Sequence, residues 1–228
     1  MCGLLLVLTL AGPGFVAGSE TSLSQWREIG EKYVLADQKL LQLDQSKLEG
    51  IPQQLELRDK LRADLDQVPP PTNDELASLL DSPDPLDRKT ALVAALAKHI
   101  TSPSITKIIV NRYNDESDFF IRFYSHQALM NLSDDQVRSV QADILRMIRN
   151  EKYESHLITS LPTLLRLERD AVIPVLVKYF KEGTSGLKKA TYATLRAKHD
   201  DYLREVKNIL KRDGAKRALK YIDKLDKL

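Results

Sequence analysis

Cysteine is almost absent: Cys2 is the only one among 228 residues. One thiol forms no intramolecular disulfide and no cysteine metal cluster, so neither holds this fold together. Aromatic residues make up only 6% of the chain, and Trp26 is the sole tryptophan. No stretch alternates apolar and polar residues long enough to argue for a sheet. Catalytic signatures are missing as well. No serine sits in a Gly-x-Ser-x-Gly elbow and no glycine-rich phosphate loop is present. The four histidines, His99, His126, His156 and His199, form no pair at metal-ligand spacing. These absences assign no catalytic residue, no metal ligand and no cofactor. They point away from an enzyme. What remains, 43% hydrophobic and 29% charged, fits a soluble helical protein long enough to bury a substantial core.

Charge of one sign is scarce only locally. The formal net charge is +2, but residues 19–87 carry a net −8 and residues 178–220 a net +8. Such asymmetry suggests an acidic and a basic end that meet different partners, or each other.

The first eighteen residues differ from the rest. Leu4 to Leu10 is a continuous apolar run, Ala11-Gly-Pro-Gly14 breaks it, and Val16-Ala-Gly18 supplies small residues before Ser19. That order predicts a secretory signal peptide over 1–18, cleaved after Gly18, and a secreted or periplasmic protein. No lysine or arginine precedes the apolar run, which leaves a membrane-anchored or cytoplasmic chain as the alternative. The run is too short and too interrupted to span a bilayer comfortably.

Apolar residues at steps of three and four predict a helix from Ser22 to about Leu48, and a second from about Gln53 to Asp66. Gly50-Ile-Pro52 interrupts the two. Residues 19–67 are thus expected to form an acidic helical hairpin. Three prolines at 69–71 make residues 68–72 a stiff spacer and set a domain boundary. Helix pairs follow over 73–228. First helices are expected near 73–80, 103–113, 134–149 and 170–181, with partners near 85–100, 118–131, 154–167 and 186–198. Helices near 200–212 and 214–228 cap the array. The turns within each pair are rich in capping and turn-forming residues.

A repeat runs through these pairs. Arg88 and Arg122 lie 34 apart, and two further steps of 33 reach Ser155 and Lys188. The first copy reads Asp81-Ser-Pro-Asp-Pro85, then Arg88, then Ala91, Ala94 and Ala95. The second keeps Asn114 to Asp118, Arg122, Ser125 and Ala128. The third departs, with Ser155 at the basic position and Pro162 inside the helix. The fourth has Lys188, followed by Thr191 and Tyr192. A polar turn before a small-residue-rich helix, at this period, signals stacked helix pairs. Residues 73–198 resemble HEAT-like repeats of the phycobilisome-lyase type. The opening Trp26-x-x-Ile29-Gly30-x-x-Tyr33 also fits the start of a tetratricopeptide repeat, but Gln42, Ser46 and Glu49 break that pattern. The HEAT resemblance implies an all-α fold, a short α-solenoid of helix pairs preceded by the hairpin. It also implies that Arg88, Arg122 and Lys188 tether neighbouring turns through acidic side chains and carbonyls.

Function reads most directly as a non-enzymatic scaffold or adaptor. It would bind an acidic or elongated protein partner on the concave face lined by the second helices. Lys188, Lys189, Tyr192 and Arg196 cluster on one expected helix and are the candidate contact residues. Anionic lipid headgroups or polysaccharide are further acceptors for the same cations. The alternative is an intracellular HEAT-like nucleic-acid-binding protein that uses the basic carboxy-terminal face, with its interleaved tyrosines. Export argues against that alternative.

Overall fold

The computed structural model describes residues 19–43, 50–100 and 102–227. The expected signal segment, Cys2 and Leu48 lie outside them. Among the described residues there are thirteen helices and no strand. They are α1 (Ser19–Gln42), α2 (Ile51–Gln67), α3 (Asn73–Leu80), α4 (Pro85–Ala97), α5 (Pro103–Asp115), α6 (Phe119–Leu129) and α7 (Asp134–Ser139). The rest are α8 (Gln141–Asn150), α9 (Glu154–Leu164), α10 (Arg169–Glu182), α11 (Ser185–Lys198), α12 (Asp200–Arg212) and α13 (Lys216–Leu225).

Capping residues start the helices where the turn chemistry demands. Thr72 and Glu75 form a reciprocal capping box on α3, as Ser133 and Gln136 do on α7. Asp84, Ser102, Asp118 and Thr184 each accept a backbone N–H from the first turn that follows. Gly50, at φ 81, occupies the left-handed region that glycine enters without steric cost, and Pro52 sits in the first turn of α2. His99 is the one described non-glycine residue with positive φ, at 51°. It follows α4, and the Ile100 N–H closes back to the Ala95 carbonyl at 2.9 Å. His199 caps α11 and opens α12 through its backbone.

One expected helix is two. The stretch 134–149 breaks at Val140, whose φ −117 and ψ 19 leave the helical region. The Ser139 hydroxyl donates to the Gln136 carbonyl at 2.7 Å, offering the backbone a local alternative to the helix. Pro162, by contrast, does not end α9, which runs to Leu164.

Packing runs in two rows. First helices α3, α5 and α8 contact one another in order, and second helices α4, α6, α9 and α11 do the same. Helix α4 is almost wholly buried from Lys89 to Ala95. Its alanines let α1, α3 and α6 approach from three sides. Helix α1 comes close at Gly30, where a Cβ would come within 2.5 Å of the Thr90 methyl carbon.

The hairpin shares this core. Trp26 is fully buried, and its indole N–H donates to the Pro69 carbonyl at 2.6 Å. Val68 and Pro71 are buried too. The hydrophobic cluster is continuous from Trp26 to Ile222. Residues 68–72 therefore do not separate the hairpin from the core of the rest. The proline segment meets α1 here: the buried indole N–H needs an acceptor, and Pro69 supplies it.

Candidate functional site

Two arginines knit the helix pairs together. Arg88 donates from Nε to Glu116 at 3.0 Å, and also to the Ser82 and Pro83 carbonyls at 2.8 and 3.0 Å. Arg122 donates to Glu151 at 3.1 and 3.3 Å, and to the Glu116 carbonyl at 3.1 Å. Each glutamate sits just after a first helix and accepts two backbone N–H groups with its other oxygen, Glu116 from Ser117 and Asp118, Glu151 from Lys152 and Tyr153. The result is a ladder from turn to turn, made of charge-assisted bonds. Lys89 adds an ion pair to Asp118 at 2.7 Å.

At Glu151 the ladder becomes a sealed hub. The side chain is fully buried, and Oε2 accepts from the Tyr113 hydroxyl, from Arg122 and, at 2.9 Å, from His156 Nδ1. His126 Nε2 lies 2.8 Å from the Tyr113 hydroxyl. Burial alone raises the Glu151 carboxyl, but hydrogen bonds from His126, His156, Tyr113 and the Tyr153 backbone outweigh it and hold the group well below the usual carboxylate range. Burial, then the hydrogen bond to Glu151, pushes the Tyr113 phenol above its ordinary range. Burial pulls the His126 imidazole down despite Glu151. Tyr113, His126 and His156 are all buried. The order of the hub is positional: it fixes α5, α6 and α9 to one another.

Solvent meets a different surface beside it. Between the hairpin and the second helices lies a groove of about 500 Å³, lined by Tyr33, Asp37 and Arg58 on one side and Phe123, Gln127 and Met130 on the other. Met130 is 43% exposed. The hairpin wall is fixed: the Tyr124 hydroxyl donates to Asp37 at 2.7 Å, and Arg58 lies 3.9 Å from the same carboxylate. Burial and the Asp37 charge push the Tyr124 phenol up. Gln127 has no partner among the described residues, so its amide is free to donate and accept. Phe123 continues into an aromatic strip, stacked on Phe119 at 6.4 Å, and Phe119 meets exposed Tyr153 edge-on at 5.0 Å.

The residues singled out from the sequence lie elsewhere, on α11. Lys188 sits over the Tyr221 ring at 5.7 Å. The Tyr192 hydroxyl donates to Asp226 at 2.7 Å, and Arg196 pairs with Asp200 at 2.6 Å. Lys189 alone is exposed without a partner among the described residues. The structure thus brings α11 against α12 and α13, and three of the four side chains are already engaged there. The groove and the Glu151 hub were both missed by the sequence reading. Glu116 and Glu151 could have flagged the ladder, because they follow Arg88 and Arg122 at offsets of 28 and 29.

Among the described residues no group of histidines and carboxylates is arranged to hold a metal ion, and no helix is long and apolar enough to cross a membrane. No protein-family model, no curated protein sequence and no solved structure shows significant similarity to this chain.

Proposed function

We propose that this protein is a non-enzymatic interaction scaffold, an α-solenoid of HEAT-like pairs that binds an elongated protein segment. The groove between the hairpin and helices α4 and α6 is the binding face. One observation carries the reading: an apolar floor of Phe123 and Met130 and a free amide at Gln127 face solvent beside a wall held by Tyr124, Asp37 and Arg58. An extended segment needs side-chain pockets together with donors and acceptors for its backbone, and this groove supplies both. The proposal includes export of a chain that begins at Ser19. Amino-terminal sequencing of the protein from its native source checks that part.

Peptide-display selection on the full chain tests the groove. Peptides enriched on the wild type should be lost with Phe123→Glu and Met130→Glu, and retained when Lys188, Lys189 and Arg196 are changed to glutamate. Equal enrichment on the groove variants would refute the assignment. Loss of acidic peptides in the α11 variant alone would move the site to α11.

A second reading rests on the free cations of α12 and α13. Lys211, Lys216, Arg217 and Lys220 are exposed and have no ion-pair partner among the described residues. If they bind nucleic acid, affinity for a duplex should fall linearly with salt on logarithmic axes, and reversing two of them should flatten that slope.

A further inference from the structure

The ladder stops at one junction, and the first row of helices opens there. Ser155 stands where Arg88 and Arg122 stand in the preceding pairs, and Gly183, 28 residues on, replaces the glutamate. Helix α8 packs on α5 and α9, and α10 on α11, α12 and α13, with little direct packing between α8 and α10. The gap is a cavity of about 440 Å³, a size typical of small-molecule sites, which span roughly 300–1,000 Å³. Ile148, Leu157, Pro174, Val175 and Leu187 make its walls apolar.

Tyr179 lines the cavity, but its hydroxyl is sealed from it beside Ser160. Polar character comes from charged side chains at the mouth. Arg149 and Lys178 also line the cavity, both exposed and both without a carboxylate partner among the described residues. Glu182 opposes them, while the charge of Glu151 at the same cavity is already met by the hub. The balance is one positive charge and an apolar body.

We propose that this cleft binds a small amphiphilic carboxylate, with its alkyl body between α8 and α10 and its head met by Lys178 or Arg149. The site is separate from the groove and does not depend on it.

Isothermal titration of the full chain with decanoate, decanol and decyltrimethylammonium, each below its micelle concentration, tests the assignment. Decanoate should bind saturably at one site. Decanol should bind about tenfold more weakly, the equivalent of one lost charge-assisted bond, and the cation should not bind. Val175→Phe, which fills the cavity, should abolish decanoate binding. Arg149→Glu with Lys178→Glu, both at exposed positions, should weaken it at least tenfold with an unchanged circular dichroism spectrum. Absence of saturable binding overturns the site. So does binding indifferent to the double charge reversal, and decanol binding as tightly as decanoate overturns the choice of a carboxylate.

Discussion

Replacing Glu151 with glutamine should destabilise the fold more than the same change at Glu116. Both carboxylates take an arginine and two backbone N–H groups, so the contrast isolates what the hub adds. At Glu151 the side chain has no exposure and Arg122 only 13%. Removing one member of a buried pair strands the other charge and costs about 3–5 kcal/mol. A glutamine also turns an amine toward donors in either orientation, since Oε1 and Oε2 are both surrounded by N–H or O–H groups. Glu116 is 9% exposed and Arg88 17%, and Arg88 keeps two carbonyl acceptors when the carboxylate goes. That change should cost about 1.5–3 kcal/mol, the range for a hydrogen bond to a charged group. For a chain of this size each kcal/mol moves Tm by about 2–4 °C, so Glu151→Gln should lower it by roughly 6–20 °C. Urea unfolding followed by circular dichroism gives the free energies, provided the slope m is unchanged. The double change Glu151→Gln with Arg122→Met should recover part of the loss, because no guanidinium is then left stranded. Equal costs at Glu116 and Glu151, or a double variant as unstable as Glu151→Gln, would refute the reasoning.

Three further outcomes follow from the same contacts. Acidification should weaken the fold below about pH 6.5, because burial lowers the folded-state pKa of His126 and the unfolded chain takes up the proton first. The depressed Glu151 carboxyl adds a second loss as pH falls below its ordinary range, so stability against pH should show both, and His126→Gln should remove only the upper one. Gly30→Ala should destabilise, although alanine is the better helix former by about 1 kcal/mol, since its Cβ meets buried Thr90; Thr90→Ala should rescue it in a double-mutant cycle, and a stabilising Gly30→Ala would contradict the close approach. Trp26 emission should be blue-shifted in the folded chain and move red in urea together with the circular dichroism signal, with an earlier fluorescence transition showing that the hairpin leaves the core on its own.

Helix positions were legible because their signals are local. Thr72 with Glu75, Asp84, Ser102, Asp118 and Ser133 each cap the helix that their own sequence announces, and the steps between Arg88, Arg122 and Lys188 mark successive pairs. The break at Val140 escaped because the apolar period continues through it, while the backbone turns on one serine hydroxyl. The α11 candidates were legible as a cluster but not as engaged side chains. Asp226, which takes Tyr192, lies 34 residues away.

From the sequence alone came the all-helical class, the helix pairs and the repeated arginines, since caps, turns and periodicity act within a few residues. Tertiary structure alone decided which charges are free, where solvent enters and what the histidines do. Tyr113, His126 and His156 converge on Glu151 from separate elements, and Trp26 reaches Pro69 across 43 residues. Such contacts depend on which helices pack together, and no local spacing encodes that.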